Sequence, residues 1–286
     1  MTYAELYRRV CDKLTAAGCD SPNFDAACLL TDIGGMPRGV PGVDFGKINT
    51  EAEAAVWAAA EERAAGRPLQ YILGQWDFLS LTLSVGEGVL VPRPDTECLC
   101  EAAAEWLNKA AAPGARVLDL CAGSGCVGLG VASLCRVPLQ VTAVELSDAA
   151  WGYLEQNIAR YPMYDVTAVK ADVLADGTQF DGPYTAILSN PPYIPTGDLP
   201  SLQREVQREP QMALDGDADG LRFYRAIAAE WVEKLAPGGL CAVEVGIGQA
   251  EDVAALFREA GLRDIQIKND LGGIPRVVMG IKKAIG

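Results

Sequence analysis

The stretch Ser189-Asn190-Pro191-Pro192-Tyr193 holds the residues best suited to chemistry, and it follows the apolar run Ala186-Ile187-Leu188. Two adjacent prolines stop a strand from pairing onward, because proline lacks an N–H and fixes φ near about −65°. The Asn190 side-chain oxygen and the Pro191 carbonyl both accept hydrogen bonds, and a planar NH2 group offers two donors in one plane. Tyr193 adds a flat ring for stacking. We predict a loop that holds a neutral nitrogen; the alternative is a proline-rich turn around a buried aromatic ring.

A second stretch, Cys121-Ala122-Gly123-Ser124-Gly125-Cys126, follows the apolar run 116–120, and its glycines match the pattern G-x-G-x-x-G. Glycines at a strand-to-helix turn let a ligand approach the backbone, and the free N–H groups of a helix start favour a polar edge. Glu145 lies 20 residues after Gly125, the spacing at which a carboxylate takes ribose hydroxyls. Asp172-Val173 ends the next apolar run, where a polar edge and an apolar side chain suit an adenine. Each acid could also be a solvated strand-end residue.

Three such strand ends in succession predict a nucleoside cofactor. A nicotinamide enzyme and a methyltransferase would both bind one here, but Asp119 inside the first strand and the Asn-Pro-Pro-Tyr sequence favour S-adenosylmethionine, with S-adenosylhomocysteine as product. The predicted cofactor-binding residues are Asp119, Cys121, Ala122, Gly123, Ser124, Gly125, Glu145, Asp172, Val173 and Asn190. The predicted catalytic residues are Asn190, Pro191 and Tyr193, and Pro192 joins them in binding the substrate.

The elements that would carry these residues alternate between strand and helix from residue 115 onward. Apolar runs lie at 116–120, 140–144, 165–169, 184–189, 239–245, 263–267 and 276–281, between helical segments near 125–134, 148–160, 219–235 and 249–260. This alternation predicts an α/β fold with a mostly parallel seven-stranded sheet and helices on both faces. Ligands of such sheets gather at the carboxyl ends of the strands. The charged stretch 195–219 is predicted to be a loop or lid over the site.

The first 75 residues are helical in character. Helices are predicted near 3–17, 24–33 and 51–66, with capping boxes at Thr2-x-x-Glu5 and Thr50-x-x-Glu53 and a loop at 34–39. No concentrated polar cluster suggests catalysis in this part of the chain. A partner-docking role and a purely structural role both remain open.

A hairpin is predicted to link the two parts of the chain, over residues 76–92. Residues 79–85 alternate apolar and polar, a glycine-rich turn follows at 86–88, and 89–91 resume the apolar pattern. Asp95 or Thr96 is then predicted to cap a helix that runs to about residue 111. The catalytic domain is predicted to occupy 93–286.

The composition excludes several classes of function. The chain has 24 basic and 38 acidic residues, a net charge of −14, which disfavours binding to a phosphate backbone. It has no histidine, and its nine cysteines form no CxxC pair, so neither a zinc site nor a histidine-based triad is expected. No signal peptide and no membrane-spanning run is evident, and we expect a soluble, cytoplasmic protein.

Together these motifs resemble the class I methyltransferases that modify planar nitrogens. From about residue 65 onward the chain resembles, more specifically, the peptide chain release factor glutamine methyltransferases. The segments that carry this resemblance are Pro68-Leu69-Gln70-Tyr71-Ile72-Leu73-Gly74, Val91-Pro92-Arg93-Pro94-Asp95-Thr96-Glu97, Glu209-Pro210 with Ala213-Leu214, Asp219-Gly220-Leu221 with Tyr224-Arg225, and Glu244-Val245-Gly246.

The resemblance implies a Rossmann-like methyltransferase domain and S-adenosylmethionine as cofactor. It also implies methylation of the side-chain amide of the glutamine in the Gly-Gly-Gln motif of release factors, which would dock on the helical part. The nearest alternative is an adenine or cytosine amino methyltransferase acting on a flipped base in nucleic acid. A non-catalytic nucleoside-binding module is the alternative from a different class.

Overall fold

The structure, a computed structural model, describes residues 1–37 and 45–284. The chain divides into two compact units. The helical unit comprises Met1–Gln75 together with Gln203–Arg208, and the sheet unit comprises Trp76–Leu202 and Glu209–Gly286. Of the loop predicted at 34–39, residues 38 and 39 lie outside the described residues.

The helical unit contains helices close to those predicted. They are α1 (Tyr3–Ala16), α2 (Pro22–Cys28), which continues as a π-helical turn over Leu29–Ile33, α3 (Thr50–Ala64) and the short α4 (Leu69–Leu73). The capping box of Thr2 and Glu5 at the start of α1 is confirmed, with both reciprocal hydrogen bonds present. The second predicted box is wrong. Asn49 precedes α3, and its side chain accepts from the N–H of Ala52, so Thr50 is already helical.

A buried ion-pair network holds the segment Gln203–Arg208 within the helical unit. The Nε of Arg63, on α3, donates to Asp25 of α2 at 2.7 Å, and its Nη2 donates to Glu205 at 2.8 Å. Arg63 and Asp25 are both buried. Because a buried charge is costly without partners, these contacts fix where the segment returns to the unit.

The predicted hairpin exists, but in a different register. β1 (Gln75–Phe78) pairs with β2 (Leu81–Ser84), and the chain turns at Leu79, which has a φ of 52°. The predicted turn at 86–88 is present, and the N–H of Val89 donates to the Gly86 carbonyl at 3.3 Å. The prediction of a second strand at 89–91 is wrong, because these residues form no strand.

Side chains of a helix and its C-cap occupy the edge of β2 that the prediction gave to a partner strand. The N–H of Ser84 donates to Oδ1 of Asn157 at 2.7 Å, and the N–H of Thr82 donates to the Tyr161 hydroxyl at 2.7 Å. The alternating pattern of β2 reports only which face is buried, so it could not reveal what pairs with the edge.

The sheet unit is built on seven strands that lie close to the predicted apolar runs. They are β3 (Ala115–Leu120), β4 (Leu139–Glu145), β5 (Asp165–Lys170), β6 (Tyr184–Ser189), β7 (Leu235–Glu244), β8 (Leu262–Asn269) and β9 (Pro275–Lys282). Their order is β5-β4-β3-β6-β7-β9-β8. The pairs from β5 through β7 are parallel, and β9 runs antiparallel to both of its neighbours. The predicted α/β fold with a mostly parallel, Rossmann-like sheet is confirmed.

Helices cover the sheet, and two large clusters of buried apolar side chains form its core. The helices are α5 (Pro94–Ala110), α6 (Cys126–Leu134), α7 (Asp148–Arg160), α8 (Arg222–Ala226) and α9 (Ala250–Glu259). Neither Asp95 nor Thr96 caps α5, which was a wrong prediction: Pro94 is its first residue, and its fixed φ suits that position. The helix predicted at 219–235 begins only at Arg222, since the N–H of Leu221 bonds to the Asp219 side chain in a turn.

The stretch 195–219 contains neither an α-helix nor a strand, as predicted for a loop. It forms short 3-10 turns over Thr196–Ser201, Val206–Arg208 and Gln211–Ala213. Its movement as a lid stays a prediction. No helix within residues 1–37 and 45–284 has the length and apolar character needed to cross a bilayer.

Candidate active site

The carboxyl ends of β3, β4, β5 and β6 meet at a cavity of about 410 Å³ in the sheet unit, within the usual range for small-molecule sites. The predicted site residues that line it are Cys121, Ala122, Gly123, Ser124, Glu145, Asp172, Val173, Asn190 and Pro192. Four others lie within two residues of these along the chain without lining the cavity, namely Asp119, Gly125, Pro191 and Tyr193. The sheet thus brings together residues from four strand ends.

The glycine-rich turn after β3 adopts backbone conformations that demand small residues. Gly125 has a φ of 81°, and a Cβ there would lie 2.7 Å from Cδ1 of Leu154 on α7. Cys121 has a φ of 59°, which is strained for a residue with a side chain. Gly125 therefore shapes the turn, while the residues from Cys121 to Ser124 face the cavity.

Asp119 lies behind this turn and supports it. Its side chain is fully buried, and Oδ2 accepts from the N–H of Gly128 in α6 at 2.8 Å. Burial raises the pKa of Asp119 to about 7. Because Asp119 anchors the start of α6, its contribution to a cofactor site in this geometry is to position the turn.

Glu145, the last residue of β4, forms part of the cavity wall and is almost fully buried. Its Oε2 accepts from the N–H of Gly123 at 2.8 Å, and Oε1 accepts from the N–H groups of Leu146 and Ser147 at 2.9 and 2.7 Å. A carboxylate has about four acceptor positions, so capacity remains for a ligand hydroxyl. The same side chain therefore holds the glycine turn and offers a hydroxyl acceptor.

The end of β5 places Asp172 and Val173 on the same cavity. Oδ1 of Asp172 accepts from the N–H of Leu174 at 2.8 Å, which fixes the carboxylate in a local turn. The Val173 carbonyl accepts from the indole N–H of Trp231 at 2.9 Å, and its side chain is buried. This arrangement presents a fixed carboxylate next to an apolar surface.

The loop after β6 is anchored at both ends. The Ser189 hydroxyl donates to the Leu120 carbonyl of β3 at 2.7 Å. Nδ2 of Asn190 donates to Oγ1 of Thr96 at 3.0 Å, across 94 residues of sequence. Since the amide nitrogen is engaged by Thr96, the Asn190 oxygen remains as an acceptor beside the cavity.

The Tyr193 side chain is partly buried against the apolar core and is bonded to neighbouring residues. Its hydroxyl donates to Oε1 of the buried Glu244 at 3.3 Å, and its carbonyl accepts from Nε2 of Gln249 at 2.8 Å. Burial raises the pKa of the Tyr193 phenol, and the nearby Glu244 carboxylate raises it further. At Gly220, with a φ of 74°, a Cβ would lie 2.3 Å from the Tyr193 carbonyl oxygen, so this turn can pack on the loop only as glycine.

The opposite wall of the cavity comes from the segment after the hairpin. Glu209 is buried and accepts from the N–H of Val91 at 3.0 Å, and it forms an ion pair with Arg93. Val91 and Arg93 both line the cavity. The segment mistaken for a strand is therefore a cavity wall fixed by a distant carboxylate.

Sequence reasoning missed four polar residues that hold this site, namely Thr96, Asn157, Glu244 and Gln249. Asn157 is fully buried, and its Nδ2 donates to the carbonyl oxygens of Ser84 and Ser124 at 3.1 and 2.9 Å. A signal existed for Glu244, a carboxylate at the end of an apolar strand. None existed for Thr96, which lies two residues after the proline that begins its helix and was interpreted as a cap.

Two sequence profiles match the chain. One described as PrmC N-terminal domain matches residues 5–74, and one described as Conserved hypothetical protein 95 matches residues 70–216. A solved structure of the Thermus thermophilus 16S rRNA N2 G1207 methyltransferase, in complex with AdoMet and guanosine, is similar in fold. It aligns with a TM-score of 0.52 and 21% identity, over 73% of this chain and 50% of that one.

Curated relatives match the chain over nearly its whole length. The release factor glutamine methyltransferase of Geobacter sulfurreducens is 41% identical over 274 residues, which cover 93% of this chain and 92% of that protein. The protein of the same name from Caulobacter vibrioides is 33% identical over 287 residues, which cover 100% and 98%. At this identity and coverage, the chain belongs to the family of release factor glutamine methyltransferases.

Proposed function

We propose that this protein transfers the methyl group of S-adenosylmethionine to the side-chain amide nitrogen of a release factor glutamine within a Gly-Gly-Gln motif. The observation that carries the proposal is the hydrogen bond from the Asn190 amide nitrogen to Thr96. The Asn190 nitrogen is thus engaged and the residue lines the cavity, so its oxygen is the group that we assign to a substrate donor.

The residues around the cavity fit the proposed cofactor. Glu145 has acceptor capacity for ribose hydroxyls, and the turn from Cys121 to Ser124 allows close approach of a ligand to the backbone. Val173 and Asp172 supply an apolar surface and a carboxylate for a purine. When bound, S-adenosylmethionine supplies an electrophilic methyl group and leaves as S-adenosylhomocysteine.

The chain's own contribution is to aim a weak nucleophile. An amide nitrogen reacts poorly because its lone pair is delocalised into the carbonyl. Acceptance of its two N–H groups by the Asn190 oxygen and the Pro191 carbonyl would orient the nitrogen toward the methyl group. Positioning of this kind can supply up to about 7 to 11 kcal/mol in favourable intramolecular cases. The proton that the nitrogen loses passes to water, and no histidine is required.

The roles within the Asn-Pro-Pro-Tyr loop follow from its contacts. Asn190 and Pro192 line the cavity, and Pro191, which lies between them in the chain, is proposed to offer its carbonyl as the second acceptor. Tyr193, whose hydroxyl and carbonyl are both bonded to neighbouring side chains, stiffens the loop. The Tyr193 ring does not line the cavity, so we assign it this supporting role and not the predicted stacking on the substrate.

Charge favours a protein substrate over nucleic acid. A flipped base carries phosphates on both sides, and a chain with a net charge of −14 is poorly suited to bind them. A glutamine at an exposed loop tip, next to glycines, can enter a narrow cavity because the glycines add little steric hindrance. The reaction would take place in the cytoplasm, where release factors act in translation termination.

The test is to incubate the protein with labelled S-adenosylmethionine and a purified release factor, then to locate the label by mass spectrometry. We expect one methyl group on the glutamine of the Gly-Gly-Gln motif. It should be absent when that glutamine is replaced by alanine. Parallel reactions contain DNA and RNA, and label in either of them with none in the release factor would overturn the assignment.

A further inference from the structure

Two buried side chains connect to the Asn-Pro-Pro-Tyr loop from neighbouring elements of the sheet unit. Thr96, in the first turn of α5, accepts the hydrogen bond from Asn190 and is 1% exposed. Glu244, the last residue of β7, accepts from the Tyr193 hydroxyl and is also 1% exposed. The loop is thus backed by a hydroxyl and a carboxyl that solvent does not reach.

The direction of these contacts depends on the hydrogen-bonding capacity of the two groups. A threonine hydroxyl has one proton and two lone pairs, and a lone pair of Thr96 accepts from Asn190, which leaves the proton to donate. Oε2 of Glu244 is buried and makes no hydrogen bond of ordinary geometry to any residue in 1–37 or 45–284. Burial raises the pKa of Glu244 to about 7, while the nearby hydroxyls of Thr96 and Tyr193 lower it by stabilising the carboxylate.

We propose that Thr96 and Glu244 are positioning residues that hold the Asn190 amide with its nitrogen inward and its oxygen toward the substrate. The inference rests on the proposed function, since it assigns a role in that same site. In the opposite orientation the amide would present an NH2 group to the substrate NH2 group. Two donors would then face each other, and the loop could not bind a planar nitrogen. Neither residue would touch the reacting atoms.

The charge of Glu244 should matter for this role. An ionised Glu244 can only accept, which favours a Thr96 hydroxyl with its proton toward Glu244 and a lone pair toward Asn190. The neutral acid carries a proton of its own and no longer favours that direction. The titratable and charged groups that face Glu244 are Asp95, Cys98 and Cys100 of α5, Cys126 of α6, Tyr193 of the loop, Tyr224 of α8 and Arg276 of β9.

The thiols and phenols among these neighbours titrate well above neutral pH. The pKa values of the thiols and of both phenols are raised, chiefly by burial. Arg276 is engaged by Asp95 at 2.8 Å and by Asp270 at 3.1 Å. Burial raises the pKa of Asp119, behind the glycine-rich turn, to about 7 as well, so the contribution of Glu244 to a fall in activity near pH 7 is the part that a change of Glu244 removes.

The experiment compares Thr96→Val, Thr96→Ser and Glu244→Gln in the full chain, with Thr142→Val in β4 as the matched control. The measurements are kcat and KM on the release factor, cofactor affinity by calorimetry, and the pH profile of kcat/KM. We expect Thr96→Val to lower kcat at least tenfold at pH 8 with cofactor affinity unchanged. Thr96→Ser, which keeps the hydroxyl, should restore most of kcat. Thr96→Val and Glu244→Gln should both reduce the acid limb near pH 7, and Thr142→Val should leave it as in the parent protein.

Two results would overturn the positioning role. One is a Thr96→Val variant with the kcat and acid limb of the parent protein. The other is equal loss in the valine and serine variants, which would assign the effect to packing. Failure of the proposed function is distinct from both, because the unmodified protein would then transfer no methyl group to a release factor at any pH.

Discussion

At the scale of single residues, Asn190 carries the most direct prediction. Asn190→Ala removes the acceptor proposed for the substrate amide and leaves the cofactor side of the cavity intact. We expect the single-turnover rate to fall at least 100-fold, about 2.7 kcal/mol or more, as when one positioned polar group is lost from an active site. Cofactor affinity, measured by calorimetry, should change little.

Asn269→Ala, at the exposed end of β8, is the matched control for that variant. It makes the same atomic change far from the cavity and should leave the rate unchanged. A single-turnover rate for Asn190→Ala equal to that of the parent would rule out positioning by this side chain.

Glu145 carries a prediction about the cofactor alone. Glu145→Gln keeps the shape of the side chain but removes the charge proposed to accept ribose hydroxyls. We expect calorimetry to show binding of S-adenosylmethionine weakened by about 1 to 3 kcal/mol. Glu155→Gln, on the exposed side of α7, should bind as the parent does. Equal affinities in both variants would remove Glu145 from the cofactor site.

Sequence reasoning predicted the candidate acceptors Asn190 and Glu145, which line the cavity, but not Thr96, which is bonded to Asn190. Asn190 and Glu145 could be predicted because strand ends follow directly from apolar runs. Thr96 could not, since its contact with Asn190 joins residues 94 positions apart and depends on how α5 packs against the sheet. The same limit applies to Tyr193, whose burial against Glu244 no local pattern reveals.

At the scale of elements, Asn157 on α7 joins the hairpin to the glycine turn. It bonds both the N–H and the carbonyl of Ser84, and also the carbonyl of Ser124. Asn157→Ala leaves these buried groups without a partner. We expect urea titration to show a free energy of unfolding lower by about 3 kcal/mol, within the range for such losses. Gln156→Ala, its exposed neighbour, should stay within about 0.5 kcal/mol of the parent.

The elements differed in how well the sequence predicted them. The seven strands of the sheet were predictable because buried parallel strands are continuous apolar runs with helices between them. The hairpin register was not, because a two-residue alternation is satisfied equally by 79–85 and by the shorter β2. The positive φ of Leu79 decides the turn, and leucine gives no sequence signal for it.

At the scale of the whole molecule, we predict that the helical unit supplies a docking surface for the release factor. A shortened chain beginning at Trp76 should bind S-adenosylmethionine with the affinity of the full chain and methylate a short Gly-Gly-Gln peptide. It should lose activity on the intact release factor, as measured by label transfer. Full activity on the intact partner would mean that the helical unit has another role.

The stability of the protein should depend on pH through two buried carboxyls. Burial raises the pKa of Asp119 and of Glu244 to about 7, from ordinary values of 3.8 and 4.5. Their neutral forms favour the folded state, so this contribution is complete below about pH 4 and is lost as the pH rises through 7, at about 1.4 kcal/mol for each unit of pKa shift. Urea midpoints of the Asp119→Asn, Glu244→Gln double variant should therefore decline less than those of the parent between pH 4 and 7. If the urea midpoints of the double variant and of the parent declined equally between pH 4 and 7, these carboxyls would already be ionised at pH 4.

The return of Gln203–Arg208 to the helical unit bears on how the chain folds during synthesis. The first 75 residues leave the ribosome long before this segment does, by roughly 130 residues, which is on the order of ten seconds of translation. Throughout that interval Arg63 and Asp25 lack Glu205, the third member of their buried network. The amino-terminal helices therefore emerge first but complete their fold late, when most of the sheet strands have already been made.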